Sequence, residues 1–320
     1  MYKFLELSFP LIFVPLMFLT SPGNISEYFF MLTPITAFSQ EVDTSEVNPA
    51  NTSKILNLNQ SLSEDFKKVV KNQISKIFSD MLSQVDERYA IQELGLQIDF
   101  PNGWRGTLIK PANTLIVSPP EINVTSYLVN TTERGFYSFV NSIPLSDNIT
   151  TQDIFQTAMN SVLNEVFESL GQVNPTISIS GISKDSIKSF QNLSGIQPPT
   201  KSLASIWYEY TFSVMNQMMG NLTAGNNPFV SNEIKSVNYS QINAMPTEIS
   251  TSESVIPHSG KSYKTLGYLF LTPDNIINVE YTGDTENYKK YLPEFENSIK
   301  TVKINNPIPI NEENIKQFVR

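Results

Sequence analysis

Apolar residues from Leu62 to Val85 recur at steps of three, four and one: Leu62, Phe66, Val69, Val70, Ile74, Ile77, Phe78, Met81, Leu82, Val85. That stripe predicts one long amphipathic helix over about residues 62–88, started by a Ser61–Glu64 capping box. Period-two alternation takes over afterwards. Leu96, Ile98 and Phe100 share one face of a strand, and Pro101-Asn102-Gly103 reads as a turn. Further strands are expected at Leu115–Val117, Ile122–Val129, Thr176–Ile182, Ser205–Met215, Thr247–Ile256, Tyr263–Leu271 and Ile276–Thr282. A second amphipathic helix is expected over Ile154–Leu170, capped by Thr150 or Thr151 and stopped by Gly171. Residues 216–246, rich in Asn, Ser and Gly, read as a loop-like insertion. A last helical segment opens at Gly283-Asp284 and is expected to break near Leu292, because Pro293 has no N–H to donate. Phe295 and Ile299 face the core beyond it.

The strands come in runs instead of alternating with helices. The fold class expected is therefore α+β: a central antiparallel β-sheet flanked by α-helices, preceded by one long amphipathic helix. The organisation that follows is a leader over 1–39, a polar linker over 40–58, the N-terminal helix over 59–89, the α+β domain over 90–304 with its insertion at about 216–246, and a loose tail over 305–320.

The leader bears on where the chain works. Lys3 precedes an apolar run from Leu7 to Thr20, and a second run, Tyr28 to Phe38, ends in Ala37-Phe38-Ser39. Small residues at Ala37 and Ser39 fit an export cleavage site between Ser39 and Gln40. Pro10, Pro15 and Pro22 interrupt the first run, which is shorter than the roughly 20 residues of a spanning helix. Cleavage is the favoured reading and retention as an anchor the alternative. Either puts the bulk of the chain outside the cytoplasm.

Composition narrows the function. A net charge of -9 argues against a nucleic-acid binder, which needs a cationic surface. The absence of cysteine removes disulfides, thiolate nucleophiles and Cys-based metal sites. Asn51, Asn59, Asn123, Asn130, Asn148, Asn192, Asn221 and Asn238 each begin an Asn-x-Ser/Thr triplet, the acceptor pattern for N-glycans on an exported chain. Asn, Ser and Thr are abundant enough here to produce several by chance.

Two stretches carry a family likeness. One is Leu94-Gly95-Leu96-Gln97-Ile98-Asp99-Phe100-Pro101-Asn102-Gly103-Trp104. The other runs through Gly260-Lys261-Ser262-Tyr263, Val279-Glu280-Tyr281, Tyr288–Leu292, Pro293, Phe295 and Ser298-Ile299-Lys300-Thr301-Val302. Together, over about residues 90–304, they resemble the PsbP family. The resemblance implies an α/β/α sandwich around an antiparallel sheet and an extracytoplasmic accessory role. Photosynthetic members dock on the water-oxidising face of photosystem II. No catalytic residues come with the resemblance, and nothing in this chain points to a photosystem, so only the idea of a docking module transfers.

Candidate chemistry is sparse. His258, the sole histidine, lies in a turn signature, Ile256-Pro257-His258-Ser259-Gly260, where a surface turn is the ordinary reading. Ser259-Gly260-Lys261-Ser262 lacks the glycine of a phosphate loop, since Val255 stands in its place. Asp99, Glu209 and Glu280 lie mid-strand, and two of them in one cleft would suit glycoside hydrolysis. Their alternation with apolar neighbours is what a solvated strand face shows. Met215, Met218, Met219 and Met245 flank the insertion and would suit Cu(I), though methionine more often fills gaps in a core.

The expectation is thus an exported, non-enzymatic binding module with no catalytic, cofactor or metal residues assigned. Its partner would be a membrane-associated protein complex, a cell-envelope component or a small ligand. The insertion with Met218 and Met219 and the rim around His258 form the expected contact surface. An Asp/Glu hydrolase and a copper carrier are the alternatives.

Overall fold

The computed structural model describes residues 64–86, 88–91, 94–110, 114–142, 161, 165, 175–194, 201–211, 232–255 and 262–320. The leader, the linker, and most of the helix expected over Ile154–Leu170 lie outside them. So do Met218, Met219, His258, Asn51, Asn59, Asn148 and Asn221.

The described chain is a mixed α+β structure built on a large antiparallel sheet. Helix α1 (Glu64–Met81) leads into β1 (Leu82–Asp86). Then follow β2 (Arg88–Ile91), β3 (Leu96–Asp99), β4 (Arg105–Ile109), β5 (Thr114–Ser118), α2 (Val124–Ser142), β6 (Thr176–Ser183) and α3 (Lys184–Ser194). Residues 203–211 form α4. The remainder is β7 (Asn232–Ile242), β8 (Met245–Val255), β9 (Ser262–Leu271), β10 (Asn275–Asp284), α5 (Thr285–Ile299), β11 (Lys303–Ile304) and α6 (Glu312–Val319). Eight strands make one sheet in the order β1-β4-β5-β6-β10-β9-β8-β7, every neighbouring pair antiparallel. A second sheet has the order β11-β3-β2.

The two faces of the large sheet differ in chemistry. One contributes Leu115, Val117, Ile177, Ile179, Leu266, Tyr268, Phe270, Ile277, Val279 and Tyr281 to the main apolar core. Phe295 and Ile299 of α5 fill it from above, as their spacing predicts, together with Leu96, Ile98 and Phe100. Phe295 is fully buried, stacked on Tyr281 at 5.2 Å and edge-on to Tyr268 at 5.6 Å. The opposite face carries polar residues, and it too is buried.

Several elements depart from the sequence expectation. The helix expected over 62–88 ends at Met81, and Leu82–Asp86 pairs with β4 as an edge strand. The strand expected at Ile122–Val129 is the start of α2. Val124, Tyr127, Leu128, Thr131 and Gly135 are its buried positions, a helical spacing, and Asn123 Oδ1 caps it by accepting from the Ser126 N–H at 2.8 Å. The strand expected at Ser205–Met215 is helix α4 through residue 211. Leu203, Ala204, Ile206, Trp207, Tyr210 and Thr211 are buried at steps of three and four, which overrides the weaker two-residue alternation.

The loop-like insertion expected at about 216–246 contains β7, which pairs with β8 through a tight Asn243-Ala244 turn. Helix α5 runs unbroken through Pro293. Pro293 and Lys289, four residues earlier, are both exposed, so water can serve the carbonyl that loses its partner. The tail expected over 305–320 is ordered as well. The Ile308 N–H bonds the Leu271 carbonyl, and α6 buries Ile315, Phe318 and Val319. Lys184 Nζ and Gln191 Nε2 of α3 donate to the carbonyls of Gln317 and Val319.

Candidate functional site

The polar face of the sheet is assembled by register. Gln84, Thr107, Ile116, Ser178, Glu280, Gly267 and Ser250 stand side by side across β1, β4, β5, β6, β10, β9 and β8. The flanking rows bring Ser180, Asn278, Leu269 and Glu248 into line, and Thr176, Thr282, Thr265 and Ser252. Successive residues of a strand point to opposite faces, so all of these belong to one side.

Helix α4 covers the β8 end of this face. The Glu248 carboxyl accepts the backbone N–H of Leu203 at 2.9 Å and of Ala204 at 2.6 Å. Ser202 Oγ accepts the next free N–H, that of Ser205, at 3.0 Å. The first turn, whose N–H groups have no partner within a helix, is thus served from the sheet and from its own cap. Farther along, the Tyr208 hydroxyl meets Ser252 Oγ at 3.1 Å. At the far end, Gln84 Nε2 bridges Thr107 and Thr125, tying the sheet edge to α2.

The electrostatics follow from this burial. Glu248 is wholly buried, and burial pushes its carboxyl up, the Ala204 and Leu203 N–H groups acting in the other direction. Glu280 is 7 % exposed. Burial pushes it up too, against bonds from Asn278 Nδ2 at 2.9 Å and Thr282 Oγ1 at 3.4 Å. Burial, and then the charge of Glu280, raise the Tyr208 phenol well above its ordinary range. Thr282 Oγ1 also meets Thr265 Oγ1 at 3.1 Å, which extends the network onto β9. Among the described residues Asn278 Oδ1 has no hydrogen-bond partner, and Ser250 Oγ has only the approach of the Tyr208 hydroxyl.

The three carboxylates weighed as a hydrolytic set are dispersed. Asp99 belongs to the small sheet, on the side of the apolar core, with its backbone N–H and carbonyl bonded to Thr301 Oγ1 and Ser298 Oγ. Glu209 is exposed on α4. Glu280 points to the opposite face of the large sheet from Asp99. The solvated strand face expected for Glu280 is instead covered by α4. Among the described residues no group of three or more His, Cys, Asp or Glu is placed to hold a metal. Met245, of the methionine set, is a buried core residue.

Sequence reasoning passed over Glu248, Ser250, Gly267 and Asn278. The signal was present as Glu248-x-Ser250-x-Ser252 on one strand and Asn278-x-Glu280-x-Thr282 on another. Its meaning depends on a covering helix whose local sequence favours a strand.

At the edge of the apolar core, around buried Trp104, the Leu94–Trp104 and Tyr288–Val302 stretches meet. The Pro101–Trp104 turn is closed by the Trp104 N–H to Pro101 carbonyl bond, with Gly103 at φ 77°. Trp104 Nε1 donates to Glu294 at 2.9 Å, and its ring lies edge-on to Tyr291 at 5.7 Å. The Tyr291 hydroxyl donates to Glu121, whose carboxyl is held below its ordinary value first by a backbone N–H and then by this phenol. Asn123, Asn130, Asn192 and Asn238, the glycan acceptors within the described residues, are all exposed.

No family model and no curated protein matches the chain. Among solved structures, the chain is similar to the solution structure of cyanobacterial PsbP (CyanoP) from Synechocystis sp. PCC 6803, at 10% identity and a TM-score of 0.34, over 70% of this chain and 93% of that one. Among the described residues no helix is long and apolar enough to cross a membrane.

Proposed function

We propose that the protein is an extracytoplasmic, non-catalytic accessory module that docks on a protein component of a membrane-associated complex. It would do so on a PsbP-like α/β/α framework, delivered by cleavage after Ser39. The observation that carries this reading is the dispersal of Asp99, Glu209 and Glu280 onto two sheets and a helix surface. Glycoside hydrolysis needs two carboxyls facing one substrate across roughly 5–10 Å. Here half-buried Asp99 and buried Glu280 stand on opposite sides of the large sheet.

The docking surface proposed is the outer rim of β7, the last strand of the large sheet. Tyr239 on this strand is 58% exposed, and Val255 on the neighbouring β8 is 40% exposed. A large aromatic ring displayed on a rigid strand, its hydroxyl anchored to the Glu248 carboxyl, is a favourable contact residue. The strand also protects itself against indiscriminate edge pairing, with Glu233, Lys235 and a register shift between Ile234 and Ser236. Site-specific photo-crosslinking from position 239 in the native host tests the proposal. One discrete adduct in the membrane fraction, lost when the crosslinker is moved to exposed Asn192 on α3, supports it. Equal labelling from both positions contradicts it.

A further inference from the structure

We propose that the space above Gly267 is a binding site for a hard, oxygen-liganded metal cation, formed by Ser250, Asn278 and Glu280 beneath Tyr208. Gly267 is the one residue without a side chain in the row that runs from Ser250 to Glu280. A Cβ placed on it would lie 3.0 Å from Ser250 Oγ and 3.2 Å from Asn278 Oδ1. Both oxygens therefore lean over the bare glycine from opposite sides. Among the described residues Asn278 Oδ1 has no hydrogen-bond partner and Ser250 Oγ has only the approach of the Tyr208 hydroxyl, in residues only 3% and 1% exposed. Buried polar atoms are rarely left unserved, and two converging on one point call for an occupant.

The chemistry of that occupant follows from where the hydrogens go. Asn278 Nδ2 is committed to one Glu280 oxygen and the Thr282 hydroxyl approaches the other. What faces the space is a hydroxyl oxygen and an amide oxygen, with Leu269 Cδ1 at 3.7 Å; Glu280, paired with Gly267 in the same row, supplies the nearby carboxylate, and oxygen donors of these kinds are what hard cations take. Burial leads the influences on the Glu280 carboxyl, followed by its bonds from Asn278 and Thr282; among the described residues no cationic side chain is one of them. A cation would supply the missing positive charge and give Asn278 Oδ1 a partner while engaging Ser250 Oγ. With a single carboxylate, the affinity belongs to the weak end of such sites, on the order of 0.1–1 mM for a divalent ion.

The test uses the full chain, purified in tetramethylammonium chloride, whose cation is too large for the space. Sodium chloride or calcium chloride is then titrated in at constant ionic strength while the thermal midpoint is followed. The expected result is a saturable rise of about 5 °C in at least one of the two salts. Which salt is active assigns the ion as monovalent or divalent. Gly267→Ala fills the space without removing a ligand and abolishes the rise, as does Glu280→Gln. Equal midpoints for the parent protein in all three salts overturn the proposal without recourse to any variant. They would leave a protonated Glu280 beside a trapped water. A rise that persists undiminished in Glu280→Gln or in Gly267→Ala overturns it as well.

Discussion

The carboxyl of Glu248 on β8 lies 2.6 Å from the backbone nitrogen of Ala204 at the start of α4, so the sheet itself caps the helix that covers it. A carboxylate at a helix N-terminus gains from the aligned peptide dipoles as well as from the hydrogen bonds. Glu248→Ala removes both and leaves a void, and is expected to cost about 3 kcal/mol in urea unfolding. Glu248→Gln keeps the shape and one acceptor and should cost about 1 kcal/mol. A near-zero loss in Glu248→Gln together with a loss in Glu248→Ala no larger than its void explains would show that the cap contributes nothing.

The buried carboxyls make a prediction about pH. Glu280 is raised above its ordinary value by burial. Between the unfolded carboxyl value, about 4.3, and the native one, the folded chain binds more protons than the unfolded chain. Its contribution is fully present below that window and is lost as pH rises through it. In tetramethylammonium buffer, the parent protein should therefore lose stability relative to Glu280→Gln as pH rises from the acid side. Parallel pH curves for the two proteins would remove this assignment.

The β7–β8 turn places both Asn243 and Ala244 at positive φ, 50° and 62°. Asparagine tolerates this conformation, and here its side chain also donates to the carbonyls of Lys300 and Val302. Alanine gains nothing in return for the clash between its Cβ and the backbone. Ala244→Gly is expected to stabilise the protein by about 1 kcal/mol, read as a higher urea midpoint with an unchanged slope.

Phe295 joins the helix α5 to the apolar sheet face through Tyr268 and Tyr281. Phe295→Ala should cost about 3–5 kcal/mol. Phe295→Leu should cost distinctly less, because most of the volume is retained. A near-neutral Phe295→Ala would mean that α5 is not seated as described.

Much of this fold is legible in the chain. Strands β3, β5, β6, β8, β9 and β10 announce themselves by alternation or by short apolar runs, and Phe295 and Ile299 by their spacing. The failures have a common cause. In Ile206-Trp207-Tyr208-Glu209-Tyr210, aromatic and β-branched residues favour a strand locally. The deciding contacts, Glu248 to Leu203 and Ala204, come from 44 and 45 residues away. Tertiary capping overrides local preference there. The candidate site depends on α4 in the same way, because Glu280 and Ser250 look solvated unless something covers them. The order in residues 305–320 was hidden for a similar reason: Pro307 and Pro309 suggest a loose end, whereas Ile315 and Phe318 are held against α3.

The proposal of a docking module is tested most directly by sedimenting the purified mature chain with membranes from its own host. Binding should saturate, disappear when the membranes are first treated with protease, weaken at least tenfold in Tyr239→Asp, and stay unchanged in Glu280→Gln. An absence of saturable binding, together with a hydrolytic turnover that Glu280→Gln abolishes, would contradict it.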